Sequence, residues 1–235
     1  MRFVEGLLAG LAAVLPIAAI LLVSAALVPG GTLVWVRALW FLAVYGAIAV
    51  IGNIALATLR PDSFRVRQQG VIAKKEKKQP LIDAVGTAIF LTYASAWVAF
   101  IPIDVFWLHL LPAPSPVISA AGGAVAAFGL ALSYVAIWEN RFAAPNVQDQ
   151  SRRGQQVVDT GVYALVRHPI YAGHLMVFCG AALWLGSYAA LIAAAGLALA
   201  TVGRIRVEEG LLRANLPGYV DYERRVRGRL IPFIL

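Results

Sequence analysis

Between Gly161 and Gly173 the chain sets Tyr163, Arg167, His168, Pro169 and Tyr171 at the mouth of an apolar run. A second group, Arg204, Arg206, Glu208 and Glu209, closes another apolar run further on. Arginine and a helix N-terminus both favour negative charge, so the first group suits an anion or a polar ligand head. A carboxylate in the second group could receive an ammonium or the hydroxyls of a ribose. Each group also has a plain reading. Arg167-His168 could anchor a helix end at an interface, and Tyr163 and Tyr171 could be belt tyrosines. On one helix, Arg204 and Glu208 are i and i+4, and Arg206 and Glu209 are i and i+3. As surface ion pairs they would contribute only about 0.2–0.5 kcal/mol each. Two carboxylates beside a membrane span cost more than on a soluble helix, which favours a functional role.

The rest of the chain says what holds these groups. Of 235 residues, 60% are hydrophobic and 14% charged, and the mean hydropathy is +0.77. A soluble domain carries about 25% charged residues. The spacing predicts an all-α, polytopic membrane bundle of about six spans without a Rossmann domain: 6–27, 34–59, 81–100, 117–138, 169–185 and a sixth that starts at 188 and runs on past Glu209. The first run is read as a retained span rather than a signal peptide. Polar loops are expected over 60–80 and 139–168, and a short loop over 102–116. Pro169 is suited to open a helix, and Gly186-Ser187 to turn it. The last two spans then form a helical hairpin that returns 204–209 to the face where 167–171 begin. Two regions follow: four N-terminal spans over 1–138, and a catalytic region over 139–235 with a loop, the hairpin and a basic tail.

Six spans place both termini and the two long loops on one side. That side holds 19 of the 20 Lys and Arg residues, all but Arg37, and the positive-inside rule makes it cytoplasmic. The net charge of +8 is thereby accounted for by orientation and contact with anionic membrane lipids, and no nucleic-acid partner is expected. His174 lies six residues after His168, which is not a metal-ligand spacing on a helix, and His109 falls on the opposite face. With no Cys/His cluster, no metal is expected. Cys179 reads as a small buried hydrophobe. There is no G-x-G-x-x-G, P-loop or G-x-S-x-G.

Taken together, Gln148, Val157-Val158, Gly161-Val162-Tyr163, Arg167-His168-Pro169-x-Tyr171 and Arg204-x-x-x-Glu208-Glu209 resemble the isoprenylcysteine carboxyl methyltransferase family. That family shares this signature with the phospholipid N-methyltransferases. The resemblance covers about the last 100 residues, down to Tyr219, Tyr222, Arg225 and Ile231-Pro232; the first 130 match only as apolar spans. It implies an S-adenosylmethionine-dependent methyltransferase working inside the membrane. By position it implies cofactor contacts from Gln148, Val157, Val158, Tyr163, His168, Pro169, Tyr171 and Glu208. It also implies catalytic roles for Arg204 and Glu208 and an acceptor contact from Arg204; a phospholipid amine as acceptor would need a carboxylate nearby, and Glu209 could supply it. Gln155 stands where the eukaryotic carboxyl methyltransferases have a His. The acceptor is expected to be lipid-like or a small lipophilic molecule. The Ala- and Arg-rich composition reads as bacterial, which sets the expected location as the cytoplasmic membrane with the active site on the cytoplasmic side. Two other readings stand beside this one: an NADPH-dependent membrane reductase of the sterol or steroid type, and a non-enzymatic membrane scaffold.

Overall fold

Long apolar segments bounded by Pro, Gly and Ser dictate the architecture seen in the computed structural model, which describes residues 1–72, 81–143 and 154–232. The elements are α1 (Arg2–Leu27), α2 (Val36–Leu59), α3 (Pro61–Ile72), α4 (Leu81–Ile103), a π-helical turn (Asp104–Leu108), α5 (Pro116–Glu139), a 3₁₀ turn (Gly161–Ala164), α6 (Pro169–Leu185), α7 (Tyr188–Asn215) and α8 (Tyr219–Arg225). No strand occurs among the described residues. Five helices are long and apolar enough to cross a membrane, and α6, the expected fifth span, is a shorter apolar helix of 17 residues. Side chains such as Val117, Leu199 and Leu27 stay exposed on the outer faces. In water such a surface would aggregate, and in a bilayer it meets hydrocarbon.

Two expectations need correction. The stretch after Arg60 is not simply a loop, because α3 occupies Pro61–Ile72. Pro61 can open a helix because its missing N–H is not needed there, and Asp62 suits the positive end of the dipole. Phe64 then docks the helix against Leu56, Ala57 and Ile137. The third span also runs on beyond 100, through Ile103 into the π-helical turn ending at Leu108, so the predicted loop from 102 is partly helical.

The α6–α7 hairpin forms as the spacing requires. Pro169 opens α6, and Gly186 ends it at φ 100°, in the left-handed region that favours glycine. Ser187 caps α7, its Oγ accepting from the Ala190 N–H at 2.8 Å and donating to Asp104 Oδ2 at 2.6 Å. The same carboxylate accepts from the Leu110 N–H at 3.0 Å. The far end of the hairpin is thus tied to the turn after α4. Along its length α6 lies close against α5: a Cβ on Gly129 would stand 2.5 Å from the Gly173 carbonyl oxygen. This is the small-residue packing that lets membrane helices approach.

Candidate functional site

The hairpin brings the N-terminal end of α6 beside the last turns of α7, and the two polar groups of the sequence meet there. The contact is built backwards from the C-terminal segment. The Arg167 N–H donates to the Gly228 carbonyl and the His168 N–H to the Arg229 carbonyl, each at 2.9 Å. Arg167 Nη1 also donates to the carbonyls of Val226 and Arg227. The segment after α8 is therefore a brace for the residues ahead of α6. On the other side, Glu139 at the end of α5 accepts from the Val162 N–H at 2.9 Å and steadies the 3₁₀ turn. Gly161, at φ 55°, faces that carboxylate closely enough that a Cβ there would clash with it.

Glu209 is the centre of the buried half. It is 1% exposed. Its Oε1 accepts from Arg167 Nε at 2.9 Å and lies 3.2 Å from His168 Nε2, while Oε2 lies 3.2 Å from Arg213 Nη2 and 3.1 Å from Arg229 Nε. Glu223 extends the cluster by pairing with Arg213. The hydrogen bond from Arg213 holds the Glu223 carboxyl below its usual value, against an opposing effect of burial. Such a buried charge is tolerable only because its oxygens are occupied.

Glu208, one residue earlier, points elsewhere. It is half-buried, and its Oε2 accepts from the Tyr171 hydroxyl at 2.9 Å. Arg204 Nε donates to the same hydroxyl at 2.9 Å, and its Nη1 donates to Thr87 Oγ1 on α4 at 3.2 Å. The predicted i, i+4 relation of Arg204 and Glu208 is thus bridged by a tyrosine from α6. Glu208 has one further oxygen with no hydrogen bond among the described residues, so it can still accept from a ligand. Tyr163 is buried. Burial, helped by the nearby Glu208 carboxylate, pushes the Tyr163 phenol up, so it stays a neutral donor. Val157 and Val158 are half-buried, and Val157 lies against Gly218, at the start of α8.

The structure therefore gathers Tyr163, Arg167, His168, Pro169, Tyr171, Arg204, Glu208 and Glu209 at one end of the hairpin. Gln148 lies outside the described residues, and Gln155 is half-buried in the chain before the 3₁₀ turn. Sequence reasoning missed Glu139, Thr87, Arg213, Glu223 and Arg229. Arg213 stands four residues after Glu209 on α7, a spacing that could have found it, whereas the other four act through contacts between different elements, which spacing along one helix cannot reveal. Among the described residues no group of three or more His, Cys, Asp or Glu could hold a metal.

The fold defines the class as a polytopic helical membrane protein. It is similar to the structure of the eukaryotic intramembrane Ras methyltransferase ICMT (isoprenylcysteine carboxyl methyltransferase), determined without a monobody. The TM-score is 0.52 at 21% identity, over 99% of this chain and 74% of that one. In sequence, residues 117–216 match the family described as phospholipid methyltransferase. The matched stretch takes in α5, then α6 with Tyr171 and α7 with Arg204 and Glu208. No curated protein matches the chain.

Proposed function

We propose that the protein is an S-adenosylmethionine-dependent methyltransferase of the bacterial cytoplasmic membrane, acting on a lipophilic acceptor from the cytoplasmic side. The observation that carries this reading is the Tyr171 hydroxyl held between Glu208 and Arg204, with a Glu208 oxygen still open to a ligand. An ammonium and ribose hydroxyls are what such an oxygen would bind. In this reading Glu208, Tyr171, Tyr163, His168 and Pro169 hold the cofactor, with Val157 and Val158 covering its apolar part and Gln148 reaching it from the preceding loop. His168 Nε2 is committed to Glu209, so Nδ1 is the nitrogen left for a ligand.

When bound, the cofactor supplies an electrophilic methyl group on a sulfonium. The work left to this chain is alignment of the acceptor and removal of water. Arg204, tied to Tyr171 and to Thr87, is fixed between the cofactor residues and α4, where it would orient the acceptor. Glu209 has both oxygens occupied by cations, so its contribution to acceptor binding is the rigidity it gives Arg167 and His168.

The test is calorimetric titration of the detergent-purified protein with S-adenosylhomocysteine, beside Glu208→Gln and with NADPH as control. Micromolar binding is expected. A hydrogen bond to a charged group contributes about 1.5–3 kcal/mol, so Glu208→Gln should weaken it by roughly 10- to 100-fold. Binding of NADPH and not of S-adenosylhomocysteine would replace this reading with the reductase, and binding of neither would leave the scaffold.

A further inference from the structure

Arg37 is the one Lys or Arg that the span count places at the end of the bundle away from Tyr171 and Glu208. Tryptophans gather at the same end: Trp35 ahead of α2, Trp107 in the π-helical turn and Trp184 in the last turn of α6. Tryptophans at helix ends mark the depth of the lipid headgroups. Arg37 is half-buried, with its guanidinium laid against α5 and α6. Its Nη1 lies 3.4 Å from Ser119 Oγ and 3.4 Å from the Trp184 carbonyl oxygen. Trp184 Nε1 donates in return to the Arg37 carbonyl at 2.8 Å. Among the described residues Arg37 forms no ion pair, and its Nε and Nη2 donate to no acceptor. Asp104, the carboxylate at this end, is taken up by Ser187 and the Leu110 N–H. The Nε and Nη2 edge of a guanidinium is the fork that matches two oxygens of one anion.

An apolar groove begins beside this cation. Small residues of α5, Ala120, Gly123 and Ala127, leave a space of about 210 Å³ that Trp40 and Val44 of α2 and Trp184 of α6 border. Arg37 stands at its head. It is hydrogen-bonded to Trp184 and to Ser119, the neighbour of Ala120, and Trp40 lies three residues on along its own helix face. From Ala120 to Leu130 the groove runs about 15 Å, at a rise of about 1.5 Å per residue. The hydrocarbon core of a bilayer is about 30 Å thick, so this is the depth of one leaflet. The groove ends at Tyr45 and Leu130, near the middle of α2 and α5. A cation at headgroup depth, opening onto an apolar channel one leaflet long, complements the two parts of a phospholipid.

We propose that Arg37 binds the phosphodiester of a glycerophospholipid, one acyl chain of which lies in the groove between α2 and α5. One guanidinium balances the single charge of a phosphodiester and meets two of its oxygens at once. The chain covers Trp40, which is otherwise 62% exposed. This lipid is not the methyl acceptor. Trp184 and Tyr171 stand about 20 Å apart along α6 at about 1.5 Å per residue, so the bound head is remote from the pocket at the other end of the hairpin. It is a structural ligand that ties α2 to the α5–α6 pair, and it owes nothing to methyl transfer.

The experiment titrates the full chain, purified in a nonionic detergent, and counts bound lipid by native mass spectrometry. The probes are phosphatidylglycerol, diacylglycerol with the same chains, and glycerophosphoglycerol, the headgroup alone. Phosphatidylglycerol is expected to form a one-to-one complex at least about tenfold tighter than that of diacylglycerol, as a hydrogen-bonded charge requires. The free headgroup should bind more weakly than the lipid. Arg37→Gln should erase the preference for phosphatidylglycerol, and Arg37→Lys should keep part of it. Arg206→Gln, which removes an exposed cation from the other end of the bundle, should leave it intact. Diacylglycerol binding by Arg37→Gln reports that the variant is folded. Filling the groove with Val44→Trp should weaken both lipids. Equal binding of the two lipids by the unaltered protein, or a preference that survives Arg37→Gln or is lost with Arg206→Gln, would overturn the assignment. So would headgroup binding as tight as that of the lipid, or lipid binding indifferent to Val44→Trp. A dimer of the unaltered chain that Val44→Trp dissociates would overturn it too, by giving the groove to a second copy.

Discussion

Glu208 and Glu209 are adjacent in sequence and opposite in fate. Successive residues on a helix point about 100° apart, so one carboxylate turns into the cluster of Arg167, His168, Arg213 and Arg229 while the other meets Tyr171. Their substitutions should separate accordingly. Glu209→Gln leaves buried cations without their counter-charge and should destabilise the protein by about 3–5 kcal/mol. Glu208→Gln removes a half-buried acceptor and should leave the melting temperature nearly unchanged while it weakens nucleoside binding. Thermal denaturation in detergent checks both, and equal melting temperatures for the two variants would refute the division of labour. Both glutamates stood out in the sequence because carboxylates are rare beside apolar spans. Which of them holds the structure was not legible, because the deciding partners Arg167, His168 and Arg229 come from other elements. The bridge from Tyr171 was hidden for a similar reason: spacing gives neighbours on one helix, and this neighbour comes from another.

At the scale of elements, periodicity and punctuation located most of the helices. Pro169, Gly186 and Ser187 set the hairpin, and the predicted run past Glu209 is seen in α7, which continues to Asn215. The helix α3 was missed because its charges mask a single anchoring aromatic, Phe64, whose partners lie on α2 and α5. The extension of α4 through Asp104 was missed because Pro102 reads as a break. Its cost is offset by the carboxylate that Asp104 offers to Ser187 and Leu110. The hairpin depends on how closely α6 can lie on α5. A methyl group on Gly129 would meet the Gly173 carbonyl at 2.5 Å, backbone that cannot swing aside. Gly129→Ala should therefore cost about 1–3 kcal/mol. Because α6 carries Tyr171, S-adenosylhomocysteine binding should weaken as well. A variant of unchanged stability and affinity would show that the two helices can part without disturbing the pocket.

Over the whole molecule, the same charges serve two purposes. All Lys and Arg residues except Arg37 were assigned to one side from the span count, and the polar cluster built by Arg167, Arg204, Arg213 and Arg229 gathers at one end of the hairpin. On the other end, Arg37 is used locally, its Nη1 lying 3.4 Å from the Trp184 carbonyl at the close of α6. The stretch 117–216, which carries the methyltransferase family match, is braced from outside itself: by Thr87 on α4 and by the segment after α8. In the proposed reading, a water-soluble methyl donor reaches the polar end of the hairpin and a lipophilic acceptor comes from the bilayer. The most direct measurement supplies membranes containing the protein with methyl-labelled S-adenosylmethionine and follows the label into the organic phase on extraction. The account predicts label in an extractable product, dependent on the protein and lost in membranes carrying Glu208→Gln. Label that stays wholly in the aqueous phase, or product formation indifferent to Glu208, would contradict it.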